Sequence, residues 1–324
     1  ARRLHQNGIA FQIIEASDGL GGRVRTDHVA GFLLDRGFQV LQTAYPEAQK
    51  VLDYAKLDLH TFFPGALIRE DDYSHRLADP FRKPLAAFES LLSPIGTMAD
   101  KFRLLSFRQR LRGQSVESIF AHEERTALDA LHQEGFSPAI VSTFFRPFLK
   151  GVFLEKGLKT SSRMFEFAFK MFFDGYAALP AHGMGAIPDQ LASALPSGSV
   201  RLNTRVVSVS SNGVTLEYGE QLKARAVVVA TEGPEAQRLI PTLEPMISCS
   251  TTCLYFVAEY DPLGSPILVL NGDGSGIINN LCVPSSVSPS YAPPGASLIS
   301  VSILGIPDEN DREVEMTVRS RLKS

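Results

Sequence analysis

Apolar positions along this chain follow two periods, and each predicts a different kind of element. Alternating or continuous short apolar runs predict strands at Phe11-Gln-Ile-Ile14, Val200–Val209, Gly213–Tyr218, Ala224–Thr231, Cys249–Glu259 and Ser297–Leu304. The run from Ala224 to Thr231 is almost wholly apolar, which suits a strand buried on both faces. Turn residues join these runs at Ser211-Asn212-Gly213 and at Asn271-Gly272-Asp273-Gly274, the latter inside a hairpin region from Leu268 to Pro284. Helical spacing predicts helices near Ala48–Ala55, Leu85–Leu92, Met98–Leu111, Ser115–Glu124 and Asp311–Leu322. Tyr45-Pro46-Glu47 starts the first of these, with proline at the first helical position and an acid in the first turn.

The segment from Ser137 to Pro180 holds nine of the chain's 21 phenylalanines. Phe165, Phe169, Phe172 and Phe173 stand at i, i+4, i+7 and i+8, so they share one face of a helix. That face packs into a core, and part of it is also suited to line a cavity for a hydrophobic small molecule. The interleaved Lys150, Lys156, Lys159, Arg163 and Lys170 read either as a solvated face or as a basic patch for peripheral contact with an anionic membrane.

Composition narrows the function. With 44% hydrophobic residues, the chain of 324 residues can bury a large core and is long enough for about two domains. A net charge of −3, without a basic run, gives no electrostatic footprint for nucleic acid. Cys249, Cys253 and Cys282 lack metal-ligand spacing, and the histidines form no H-x-x-H or H-E-x-x-H pattern, so no metal is expected. No apolar run reaches the ~18 residues of a transmembrane helix.

The densest chemical signal lies just after the first strand, in Glu15-Ala-Ser-Asp-Gly-Leu-Gly-Gly-Arg-Val-Arg-Thr26. An acid past a buried strand is placed to hold the ribose hydroxyls of an adenosine in a dinucleotide fold. The adjacent Gly21 and Gly22 let backbone approach a pyrophosphate closely, and Arg23 adds a forked cation for the same oxygens. The glycine loop that precedes such an acid by about 20 residues is absent, since only fourteen residues precede Glu15. The chain begins with Ala, and Ala1–Gly8 reads as the end of a helix closed by Asn-Gly, so the sequence is expected to be a fragment. A second glycine turn, His182-Gly-Met-Gly185, precedes a helix whose first turn carries Pro188 and Asp189 and whose N-terminus could face an anion.

Glu15, then Gly21-Gly22-Arg23, then Phe32-Leu-Leu-Asp-Arg-Gly37 occur in the order of the N-terminal signature of the flavin amine oxidase, protoporphyrinogen oxidase and phytoene desaturase superfamily, which this chain resembles. The later order also resembles it: a Gly-Met turn and helix, a strand carrying a valine, then a strand ending in Ala-Thr. The resemblance implies an α/β fold, a Rossmann-type FAD-binding domain with an inserted α+β substrate domain. It implies the FAD-binding domain at 1–58 and 182–240 and the substrate domain at 59–181 and 241–324, both incomplete. FAD is the expected cofactor, held by Glu15, Gly21, Gly22 and Arg23, with Arg25 and Gly37 beside them. Gly183 and Met184 would approach the flavin, Val206 would contact adenine, and Ala230 and Thr231 would lie beside the adenosine. The family commonly has a glycine where this chain has His182, which reads either as a polar substrate contact or, the favoured reading, as a turn residue. Asp35 is read as structural, satisfying backbone donors near a strand end. No Gly-Asp segment followed by a flavin-contacting helix closes the chain.

The implied activity is oxidation or desaturation of a hydrophobic polyene-like or tetrapyrrole-like substrate, or of an amine, by hydride transfer to flavin. Phe144-Phe-Arg-Pro-Phe148 favours the desaturase-like and protoporphyrinogen oxidase-like members. Two alternatives stay open: a non-redox isomerase that keeps FAD, as carotenoid isomerase relatives do, and a non-catalytic remnant. No catalytic residue is assigned, the electron acceptor is open, and the location is left open between the cytoplasm and a plastid, with or without membrane association.

Overall fold

A computed structural model describes residues 1–70, 73–85, 93–274 and 276–323. The chain divides into two compact units, one built from 1–25 and 185–249, the other from 26–184 and 250–324. Residues 26–58 therefore group with the larger unit rather than with the first 25 residues. The mixture of helices with parallel and antiparallel strands is an α/β fold.

In the first unit, the strand Ile13–Ile14 pairs in parallel with Val200–Arg201, Ile13 opposite Val200. The predicted strand Val200–Val209 is interrupted here. Asn203 takes a left-handed conformation at φ +49°, its N–H donates to Ser17 O at 2.8 Å, and pairing resumes only at Val206–Ser210. Asparagine tolerates that conformation better than most residues, which is why the break falls there. Val206–Ser210, Gly213–Leu216 and Gln221–Lys223 form a three-stranded antiparallel sheet around the Ser211-Asn212-Gly213 turn. Two short helices, Ala186–Ala192 and Gly233–Leu239, begin as proline-containing first turns predict.

The run Ala224–Thr231 corrects the sequence reading. It lies outside every strand, and Val228 is 80% exposed. Apolar β-branched residues favour extended backbone, but a strand exists only where a neighbour supplies a ladder of hydrogen bonds, and among the described residues this run pairs in no strand; its first residue, Ala224, donates N–H to Asn212 O at 2.8 Å.

The second unit is organised by a six-stranded sheet in the order Thr251–Ala258, Ser297–Leu304, Ile278–Cys282, Leu268–Asn271, Gly65–Glu70 and Tyr73–Ala78. All pairings are antiparallel except Leu268–Asn271 with Gly65–Glu70. The C-terminal helix Asp311–Lys323 buries Val314 and Val318 against Phe256, Val301 and Ile303 of this sheet. A second small sheet, Leu41–Gln42, Ala177–Pro180 and Leu59–Thr61, ties the ends of the helical region together.

Helix Met98–Arg112 starts at a capping box in which Thr97 and Asp100 satisfy each other's backbone N–H groups. Helix Ser162–Asp174 carries the phenylalanine stripe, and Phe165 and Phe169 are buried as its period requires. Phe107 stacks on Phe165 at 5.4 Å between ring centres and meets Phe169 edge-on at 5.7 Å. Such pairs contribute about 0.5–1.5 kcal/mol each beyond burial of their area. The expected helix at 48–55 is two helices, Pro46–Val51 and Tyr54–Leu57. Asp53 causes the break, because its side chain accepts from Lys56 N and caps a new helix. Helix Ser115–Glu124 is shorter, Val116–Ala121, with Ser115 as its cap. The expected helix Leu85–Leu92 lies, apart from Leu85, outside the described residues. No helix among the described residues is long and apolar enough to cross a membrane.

Candidate functional site

In the first unit the acid that the sequence singles out stands at the end of the parallel pair. Glu15 N–H donates to Arg201 O at 2.9 Å, and Glu15 O accepts from Thr204 N–H at 2.9 Å. The carboxylate is half-buried, and its Oε1 accepts from Ser17 N–H at 2.7 Å, which fixes its direction. The loop that follows turns at Gly21 and Gly22, with φ of +111° and +57°. A Cβ at Gly21 would lie 2.5 Å from Val24 O and 2.8 Å from Pro188 Cγ, so only glycine lets this loop pack on the Ala186–Ala192 helix. Gly22 differs, because nothing lies within 4 Å of where its Cβ would stand. Its backbone is open to an incoming group, as a phosphate-binding glycine must be.

Arg23 is exposed, and its Nε lies 3.0 Å from Glu232 Oε1. This pair brings the Gly-Gly-Arg loop beside the end of the Ala224–Thr231 run. Ala230 and Thr231 are both exposed there, and the Thr231 hydroxyl donates to Glu232 O at 3.3 Å. Arg25 is turned into its own loop, where Nη1 donates to Asp18 Oδ1 at 2.7 Å. Val206 begins the antiparallel sheet, and its carbonyl accepts from Arg238 Nη2 at 3.0 Å.

In the second unit one buried carboxylate collects the other predicted residues. Asp35, 5% exposed, accepts from Thr26 Oγ1 at 2.5 Å and from Met184 N at 2.9 Å on one oxygen, and from Tyr291 Oη at 2.8 Å on the other. Its carbonyl accepts from Tyr255 Oη at 2.7 Å and from Gly37 N at 2.8 Å. Burial raises the Asp35 pKa above the usual carboxylate range, and the bonds from Thr26, Met184 and Tyr291 partly oppose this. Burial likewise raises the hydroxyls of Tyr255 and Tyr291. Gly183 stands at φ +82° with its Cα against Thr26, where a Cβ would come 2.8 Å from Thr26 Cβ. Gly37 takes φ +96°, and like Gly22 it opens onto free space. Thus Asp35 holds the Gly37 turn and the Gly183-Met184 turn in one place, while His182 is an exposed turn residue. The backbone-satisfying role expected of Asp35 is visible in Met184, and its reach is wider than the sequence indicates.

Beside the Gly37 turn, reached through Phe38, lies a cavity of about 370 Å³, and Phe169, Phe172 and Phe173 of the phenylalanine face line it, as the sequence reading allowed. Phe38, Phe62, Phe148, Phe169, Phe172 and Tyr176 are among its lining residues, so the phenylalanine stripe is both core and lining. Gln42, Asp79, Arg82, Arg108 and Asn280 are its polar members, with the hydroxyl-bearing rings of Tyr45 and Tyr176. Arg82 caps the C-terminal end of the Ser162–Asp174 helix, donating to the carbonyls of Phe172, Phe173 and Gly175. Arg108 stacks on Phe81, its guanidinium carbon 4.0 Å from the ring centre. Asp79 Oδ2 lies 3.6 Å from Arg82 Nε and 3.6 Å from Arg108 Nη2. No group of three or more potential metal ligands occurs among the described residues.

These parts have the chemistry that a flavin dinucleotide asks for. A fixed carboxylate can accept from ribose hydroxyls, and open positive-φ glycines can approach phosphate or ring edges without a side chain intervening. Comparison with known proteins bears on the same point. The chain is 25% identical over 153 residues to protoporphyrinogen oxidase 2, chloroplastic/mitochondrial, of Arabidopsis thaliana. That match covers 47% of this chain and only 29% of the relative. Among solved structures, an oxidoreductase from Methanosarcina mazei has a TM-score of 0.69 at 16% identity, covering 99% of this chain and 79% of that one. Cyclohexylamine oxidase from Brevibacterium oxydans gives 0.69 at 16% identity, covering 99% and 77%. A Pyrococcus furiosus protein gives 0.70 at 16% identity, covering 99% and 80%. These likenesses show the fold, and the family model for flavin containing amine oxidoreductases matches residues 1–323. The chain belongs to that family of FAD-dependent oxidoreductases.

Proposed function

We propose that this protein oxidises or desaturates an apolar small molecule by delivering its hydride to FAD. The observation that carries the reading is the cavity of about 370 Å³, lined by phenylalanines and adjoining the Gly37 turn through Phe38. A bound flavin supplies the hydride acceptor, so the chain need supply position, dryness and electrostatics. In the first unit, Glu15 receives the ribose hydroxyls, Gly21, Gly22 and Arg23 receive the pyrophosphate, and Val206, Ala230 and Thr231 face the adenosine. Arg25 acts through the loop, by holding Asp18. In the second unit, Asp35 fixes the turns of Gly37, Gly183 and Met184 at which the ring is received. The aromatic wall excludes water and aligns the substrate by its apolar surface.

We also infer peripheral contact with a membrane at the cavity rim. Val152 and Tyr176 line the cavity yet are 39% and 42% exposed, and Phe81, against which the lining residue Arg108 stacks, is 62% exposed. Exposed apolar side chains of this kind suit the acquisition of a poorly soluble substrate. Lys170 does not belong to that surface, because it is buried and donates to Leu111 O and Asp174.

The test is the absorbance spectrum of the purified chain supplied with FAD, beside Glu15→Ala and Arg23→Ala. Flavin bands that survive desalting in the wild type and are lost in both variants are expected. A wild-type chain that stays colourless after FAD is added would refute the reading.

A further inference from the structure

The charges at the polar end of the cavity do not balance, and the surplus is positive. Four cations share two carboxylates there. Arg82 and Arg108 share Asp79, each 3.6 Å from its Oδ2, while Arg112 at 3.3 Å and Lys170 at 2.8 Å share Asp174. Three of the four have further outlets. Arg82 donates to the carbonyls of Phe172, Phe173 and Gly175, Lys170 donates to Leu111 O, and the Arg112 side chain is half exposed to water. Arg108 has none of these. It is 5% exposed, its guanidinium is stacked on Phe81, and its side chain makes no hydrogen bond to a described residue. Its Nε is sealed in the protein, whereas its two terminal nitrogens keep accessible surface where the residue lines the cavity. Burial, and after it the repulsion of Arg112 and Arg82, lowers the Arg108 pKa from its usual value, and Asp79 and Asp174 oppose this only in part. A buried guanidinium without a hydrogen-bonded acceptor is costly to keep, and a planar carboxylate completes its fork of N–H groups.

The rest of the polar wall does not offset this surplus. Asp79 is the only carboxylate among the described lining residues, and its Oδ1 already accepts from Phe81 N at 2.9 Å. Both amide atoms of Gln42 are sealed from the cavity. Asn280, whose Nδ2 lies 2.7 Å from where a Cβ on Gly151 would stand, is a neutral group, as are the hydroxyls of Tyr45 and Tyr176. Such groups serve an acid, an amide or an alcohol alike and do not choose between charges. The family takes its name from amines, yet an ammonium in this cavity would meet two guanidiniums that share one carboxylate.

We propose that the cavity selects an apolar molecule carrying a carboxylate, which the two terminal nitrogens of Arg108 hold as a bidentate pair, and rejects the amine of the same shape. Asp79 keeps Arg82 as its partner when Arg108 turns to the ligand. Arg108 is thus a specificity-determining residue. This inference deepens the preceding reading by naming the substrate class, and it rests on that reading for its assignment of the cavity to substrate.

Three probes of one shape decide the point: 4-phenylbutyrate, 4-phenylbutanamide and 4-phenylbutylamine, each titrated into the wild-type chain by calorimetry at neutral pH. The carboxylate should bind at least about tenfold tighter than the amide, the effect of one buried charge-assisted pair, and the amine should bind weakest. In Arg108→Met the preference for the carboxylate should vanish while the amide keeps its affinity. Arg108→Lys keeps the charge and loses the fork, so part of the preference should remain, which separates a lost contact from a lost fold. Arg112→Met removes an equal charge one helical turn along, at a position outside the cavity lining, and should retain the preference. An amide or amine that binds as tightly as the carboxylate, no binding of any probe, a preference that survives Arg108→Met, or equal losses in Arg108→Met and Arg112→Met would overturn the proposal. Flavin content, read from the spectrum of the same samples, keeps the two readings apart. Bound flavin without carboxylate preference sinks this inference alone, and carboxylate preference without flavin sinks the flavoenzyme reading alone.

Discussion

Removing the carboxyl of Asp35 tests whether one buried group organises the turns of the second unit. In Asp35→Leu, two buried donors lose their acceptor, the N–H of Met184 and the hydroxyl of Tyr291, which is 1% exposed. Each unpaired buried donor costs about 1–3 kcal/mol, so the variant should lose about 2–6 kcal/mol. That is a large part of the ordinary stability of about 5–15 kcal/mol. Thr26, half-buried, can turn its hydroxyl elsewhere and adds little. Asp35→Asn should behave differently. Its oxygen still accepts from Thr26 and Met184, its nitrogen can donate to the Tyr291 oxygen, and the buried charge is gone, so it should lie within about 1 kcal/mol of wild type.

The pH dependence gives a second check. Burial raises the Asp35 pKa above 3.8, so its contribution to stability is fully present below that value and is lost as pH rises through the folded value. At neutral pH the wild type therefore bears the cost of a buried ionised carboxyl that Asparagine does not. The stability of Asp35→Asn relative to wild type should improve from pH 4 toward neutrality. Urea titration followed by tyrosine fluorescence, which no tryptophan obscures, reads both effects. A leucine variant as stable as wild type would refute the reasoning, as would an asparagine variant that is equally damaged.

Two further predictions follow from local geometry. Burial of Asp100 opposes its ionisation, but bonds from Ser137 and Thr97 together outweigh this and hold its carboxyl at about 2. Its stabilisation is present above 3.8 and lost as pH falls through about 2, so Asp100→Asn should cost roughly 2 kcal/mol at neutral pH. The difference from wild type should shrink in acid melts over that window; a constant difference would show that charge is not the cause. Gly183→Ala must place a Cβ 2.8 Å from Thr26 Cβ in a left-handed backbone, and should lose about 2–5 kcal/mol in thermal melts. His182→Ala, next to it and exposed, should stay within about 0.5 kcal/mol, and equal effects at the two positions would contradict the packing argument.

Local chemistry was legible wherever it is written in consecutive residues. The Gly21-Gly22 turn, the phenylalanine face of Ser162–Asp174 and the strand Ser297–Leu304 all appear at their expected places. What depends on neighbours was not. Ala224–Thr231 has the composition of a buried strand but lacks a pairing partner among the described residues, and composition cannot report that. Asp35 was legible as a strand-end acid, yet its partners Met184 and Tyr291 lie 149 and 256 residues further along. The cavity was legible in its phenylalanine face but not in its polar wall. Gln42, Asp79 and Arg108 carry no motif, and only folding brings them to one wall with the phenylalanines. The Lys170 that the sequence placed with the surface cations is neutralised by Asp174 four residues on, a pairing that helical spacing could have suggested.

The one parallel pairing described in the large sheet, between its fourth and fifth strands, also sets a timetable. Ala66 must wait for Leu268, and at synthesis rates of about 5–20 residues per second those 202 residues (268 − 66) take roughly 10–40 s to emerge from the ribosome. Throughout that interval the Gly65–Glu70 strand presents an unsatisfied edge, with Ala66, Ile68 and Leu77 of its hairpin still uncovered. Recovery of this protein from a cell is thus a kinetic contest, decided by how well the nascent hairpin is shielded by chaperones until its C-terminal neighbour arrives.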